Sequence, residues 1–100
     1  MTEYEFEAEP WRWTGNGAQW VFVTIPEDIA DEVESLQTGQ GRGFGAVRVR
    51  VTIGTTTWET SMFPSTEHSS YILPLKAAVR TAERIVVGSA VNAHIALVQA

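Results

Sequence analysis

The sequence predicts one small, mainly β domain: a single β-barrel, antiparallel or mixed, with two short helices. Three observations predict it. β-Branched and aromatic residues recur in short runs of period two, separated by turn residues, which is the pattern of strands joined as hairpins. Pro26 and Pro74 each open a stretch whose apolar residues recur every three to four positions. The chain has 100 residues, 44% hydrophobic and 19% charged, enough for one buried core and too short for a second domain.

Tyr4-Glu5-Phe6-Glu7-Ala8-Glu9 alternates apolar and acidic residues, so it predicts a strand with one wet face that carries the glutamates. Beyond Pro10 the large apolar residues, Trp11 and Trp13, fall on odd positions instead of even ones, which predicts a bend or bulge at the proline. Thr14-Gly15-Asn16-Gly17 is turn chemistry. Trp20-Val21-Phe22-Val23-Thr24-Ile25 reads as the returning strand, apolar on both parities and therefore expected to be buried on both faces.

Pro26, with Glu27 and Asp28 behind it, suits a helix N-terminus. Ile29, Val33 and Leu36 form the expected apolar stripe, and the helix is expected to end near Gln37. Residues 38–45 hold four glycines in eight positions, which excludes a regular helix or strand. Val47 to Ile53 is the cleanest strand, with Arg48, Arg50 and Thr52 on its polar side. Gly54-Thr55-Thr56 turns the chain, and Thr57 to Phe63 returns as its hairpin partner. Pro64 to Ser70 reads as a polar loop containing His68, and Tyr71 to Leu73 as a short strand. Pro74 to Arg84 reads as a second helix, burying Leu75, Ala78, Val79 and Ala82 and presenting Lys76, Arg80 and Arg84 on another side. Gly88 breaks the chain before a last strand, Val91 to Val98. The expected total is five or six strands and two helices that cap the ends of a barrel.

Composition removes several function classes. Without cysteine there is no disulfide framework, thiolate nucleophile or cysteine metal site. A net charge of −5 argues against a nonspecific binder of nucleic acid or anionic membrane. Glu3, Glu5, Glu7 and Glu9 carry most of that excess, so a local basic patch is compatible with it. Six of the seven basic residues are arginines, which favour planar, fixed hydrogen bonding. No apolar run approaches the roughly 18–20 residues that span a bilayer. The acidic start lacks the basic and apolar parts of a secretory signal, so a cytoplasmic location with no membrane association is expected.

Three segments carry a resemblance: Trp20 to Pro26, Gly43 to Gly54, and Tyr71-Ile72-Leu73-Pro74-Leu75-Lys76-Ala77-Ala78-Val79-Arg80. In this order and spacing they resemble the small bacterial domain-of-unknown-function family numbered 1905, over roughly Tyr4 to Val98. The resemblance implies a barrel of the double-split kind, with a helix after the first hairpin and another before the last strand. It implies no activity. Members of that family also occur beside a domain associated with bacteriocin protection. The family often has Gly-Asp before its last strand where this chain has Gly88-Ser89; a turn role there is open to serine as well.

The glycine-rich stretch matches neither phosphate-loop fingerprint, because it follows a helix and opens a strand. With the basic start of the second helix it predicts a cationic site at one barrel end, lined by Arg42, Phe44, Tyr71, Lys76 and Arg80, for a small anionic ligand or a protein partner. The reading is a non-enzymatic ligand- or partner-binding module, as a monomer or weak dimer, with no catalytic residue, cofactor or metal assigned. One alternative is a small enzyme using His68 with Tyr71 or a nearby serine, although no nucleophile elbow accompanies them. Another is a DNA-associated regulator, by analogy with double-split barrels that bind DNA as dimers, against which the charge weighs. His68 and His94 make a poor metal pair. Arg48 and Arg50 are expected to pair with Glu59 across the hairpin. The four tryptophans are expected in the core, the alternative being a wet Trp11/Trp13 stacking platform for a ring or sugar.

Overall fold

A computed structural model describes residues 2–15, 17–38 and 45–98. Among them are seven strands and two helices: β1 (Glu3–Ala8), β2 (Trp11–Gly15), β3 (Ala18–Thr24), α1 (Glu27–Thr38), β4 (Val47–Ile53), β5 (Thr56–Ser65), β6 (Ser70–Pro74), α2 (Ala77–Ala82) and β7 (Val91–Leu97). All strands pair antiparallel in one curled sheet, in the order β1-β7-β4-β5-β6-β3-β2, so the mainly β expectation holds.

The two edge strands, β1 and β2, are separated by only Glu9 and Pro10. With every neighbour antiparallel and six pairings between them, β1 and β2 run the same way. They act as one bent strand whose first half pairs with β7 and whose second half pairs with β3. The bend sits at Pro10, which is fully buried and whose carbonyl accepts the Gly88 N–H at 2.9 Å. Proline lacks the N–H a ladder needs, which favours leaving one sheet edge for another there. Gly88 takes φ 90°, a conformation that favours glycine, so Gly88-Ser89 is a turn.

β5 makes the second corner. Its residues Thr56 to Met62 pair with β4, and Phe63 to Ser65 pair with β6. The strand runs through Pro64, two residues further than its sequence suggests. The helices stand at its two ends. α1 lies by the β5–β6 turn, and Glu83, just past α2, accepts the Thr56 hydroxyl at 2.5 Å at the β4–β5 turn.

The core lies inside the curl. It is built from Phe6, Val21 and Val23 of β3, the odd positions of β4, Trp58 and Met62 of β5, Tyr71 and Leu73 of β6, and Ala93, Ile95 and Leu97 of β7, with Leu75, Val79, Ala30 and Val33 closing it. Four sequence expectations need correction. The expected α1 stripe holds at Ile29 and Val33, which pack on the core with Ala30, and fails at Leu36, which is 46% exposed. α2 is shorter than expected, Ala78 and Ala82 face solvent, and Arg84 lies past its end at φ 53°, so Lys76, Arg80 and Arg84 do not share a helical stripe. β3 buries only its odd side. Of the four tryptophans, Trp58 alone belongs to the core.

Candidate ligand-binding site

β6 ends at Pro74, and up to there it pairs with Phe22 to Thr24 of β3 on one side and the end of β5 on the other. Beyond it the first half of β3 and the first half of β5 lose their common neighbour, and the wall of the curl splits. The chain fills the split with Leu75, whose N–H reaches the Val21 carbonyl at 2.8 Å, and then turns into α2. A cavity of about 440 Å³ remains, lined by Gln19, Trp20 and Val21 of β3, Trp58, Glu59 and Thr60 of β5, and Pro74 to Ala77 with Arg80. That volume suits a small ligand.

Two of the five expected site residues, Lys76 and Arg80, meet here. Arg80 is half-buried, and its Nε donates to the Leu75 carbonyl at 2.9 Å, which fixes the guanidinium. Among the described residues no carboxylate pairs with Lys76 or Arg80. Glu59, on the same wall, is taken by Arg50 at 2.9 Å and Arg48 at 3.9 Å, the cross-strand pairing expected from sequence. A further cation, Arg12, bonds the wall residue Gln19 at 2.9 Å. Sequence reasoning missed Gln19, Trp20 and Trp58 as lining residues, since the split that joins them depends on where β6 stops.

Tyr71 does not join them. It points inward on β6 and lines a separate cavity of about 260 Å³ with Asp31 and Glu34 of α1. Burial, and then the Glu34 charge, push its phenol above the usual tyrosine range. Arg42 and Phe44, with most of the glycine-rich stretch, lie outside the described residues.

His68 sits in the β5–β6 turn, where its N–H reaches the Ser65 hydroxyl at 3.3 Å. Its ring packs against Trp11 at a tilt, with centroids 4.5 Å and planes 32° apart. His68 and Tyr71 therefore line different cavities. His94 pairs with Glu3 at 2.7 Å and Asn92 with Glu5 at 3.1 Å, both on the outer face of β1–β7. Among the described residues no three His, Cys, Asp or Glu side chains cluster as a metal site. No helix there is long and apolar enough to cross a membrane.

The family model described as Domain of unknown function (DUF1905) matches residues 6–95. The chain belongs to the DUF1905 family. The matched stretch runs from Phe6 in β1 to Ile95 in β7, so this DUF1905 domain holds every residue of the split cavity within it. No curated protein matches the chain.

Proposed function

We propose that the domain is a non-enzymatic module that binds a small ligand carrying an anionic group beside a flat or apolar one, in the split between β3 and β5. The observation that carries this is the fixed Arg80 guanidinium, which with Lys76 lacks a carboxylate partner among the described residues and shares a cavity with Trp20 and Trp58. Arginine presents a planar fork suited to carboxylate or phosphate, and the indoles favour a ring at the other end of the ligand. Native mass spectrometry of the full chain tests it. A small adduct should be retained by the native protein, lost on denaturation and absent from a folded Arg80→Ala variant. An adduct held equally by that variant contradicts the site.

A further inference from the structure

The outer face of β2, β3, β6 and the end of β5 has no covering layer among the described residues. Trp11 stands opposite Phe22 and Trp13 opposite Trp20, so four aromatic side chains share this side of the β2–β3 ladder. Phe63 continues the surface on β5. Trp13, Trp20 and Phe63 are 43%, 49% and 44% exposed, far more than core aromatics. A groove of about 430 Å³ lies over them and ends at Ser65, Glu67 and His68.

The rings are held in place by their neighbours. Trp20 and Phe22 stack with planes 9° apart and centroids 6.0 Å apart. The six-membered ring of Trp13 lies over Gly15, where a Cβ would stand 2.7 Å from its Cη2 atom. Trp11 is fixed by its Nε1–H, which donates to the Thr24 hydroxyl at 2.8 Å, and by the His68 ring above it. Such order before binding reduces the entropy cost of taking up a ligand.

We infer that this face is a second binding site, for the rings of a neutral saccharide. An extended, exposed aromatic surface, with Trp20 and Phe22 parallel and Trp11 tilted 33° from Phe22, offers ring faces for the apolar C–H face of a sugar ring. The carboxylate of Glu67, the hydroxyl of Ser65 and the imidazole of His68 supply acceptors and donors for sugar hydroxyls at one end. The groove contains neither Lys nor Arg to pair with a nucleotide or sugar phosphate, and the chain's net charge of −5 opposes one. A quaternary ammonium needs rings on several sides, whereas these rings lie on one sheet face. Trp20 lines both this groove and the split cavity, but the other walls differ: Trp13 belongs to the groove alone and Trp58 to the cavity alone.

That difference makes the test specific. The ¹⁵N-labelled full chain is titrated with cellohexaose, maltohexaose and chitohexaose, following the indole N–H resonances. At least one of these sugars should shift Trp13 and Trp20 saturably and leave Trp58 in place. Trp13→Ala should weaken binding by about tenfold or more, equivalent to roughly 1.4 kcal/mol. Gly15→Ala keeps every tryptophan but drives a methyl group into the Trp13 ring, and it should weaken binding too. The inference is overturned if none of the three sugars shifts Trp13 saturably, if Trp58 moves while Trp13 does not, or if choline shifts Trp13 saturably and the sugars do not. None of these results depends on the anionic site, whose ligand would move Trp58.

Discussion

Arg80 donates its Nε–H to the carbonyl oxygen of Leu75 at 2.9 Å, holding the guanidinium in the split where β3 and β5 part. Replacing Arg80 with alanine should cost about 1.5–3 kcal/mol of stability, the net value of a bond from a charged donor, and leave the domain folded. Affinity for an anionic ligand should fall as well. Arg80→Lys keeps the charge but loses the planar fork, so it should bind more weakly than the native chain and more strongly than Arg80→Ala. Urea unfolding beside a binding titration of the three proteins checks this ordering.

Gly54 has φ 59°, and a Cβ there would fall on the Glu83 carboxylate. Gly54→Ala should therefore destabilise the domain by about 1–3 kcal/mol, through the strained turn and the displaced carboxylate. Glu83→Ala should also destabilise it, because the hydroxyl of Thr56 and that of Thr55 lose their acceptor. The two changes act on one contact, so the double variant should cost less than the sum, as a double-mutant cycle in urea would show.

The Tyr4 hydroxyl donates to Glu32 at 2.7 Å, tying β1 to α1. Burial, then this bond and the Glu32 charge, push its phenol up to about 12. The neutral phenol is favoured in the fold, so the contribution is complete below the unfolded value near 10. It fades as pH rises through the folded value. Tyrosinate absorbance should show Tyr4 titrating near 12 and Tyr71 above its usual range. In Glu32→Gln the Tyr4 value should drop, and Tyr4→Phe should lose stability less steeply between pH 10 and about 12.

Helix α1 gives a test of which side packs. Val33 is fully buried and Leu36 is 46% exposed. Val33→Ala should cost about 2 kcal/mol, from two buried methyl groups and the space they leave. Leu36→Ala should stay within about 0.5 kcal/mol of the native chain. Thermal or urea unfolding of both variants distinguishes this packing from the stripe that spacing alone suggests.

Much of the fold is legible in particular residues. The glutamate alternation from Glu3 to Glu9 marks β1, the parity change across Pro10 marks the corner, and Gly54 marks the β4–β5 turn. Pro26 with two acids marks the start of α1. What stayed hidden depends on the third dimension. The run Trp20 to Ile25 is apolar on both parities, which looks like a doubly buried strand; only the structure shows no layer covering its even side. Leu36 keeps helical spacing with Ile29 and Val33, but the core takes those two and Ala30 and leaves Leu36 outside. Lys76 and Arg80 were readable as a basic pair, whereas Trp20 and Trp58 reach them only because β6 stops at Pro74. Tyr71 is close to Lys76 in sequence yet faces Asp31 and Glu34, since it points into the curl at the far end of β6.

The most direct test of the anionic site is a ¹H–¹⁵N NMR titration of the full chain with phenyl phosphate, with inorganic phosphate alongside. The account predicts saturable shifts at Lys76, Ala77 and Arg80 and at the Trp20 and Trp58 indoles, tighter for phenyl phosphate because its ring meets the indoles, and lost in Arg80→Ala. No saturable shift at those residues, or the same shifts in Arg80→Ala, would contradict it.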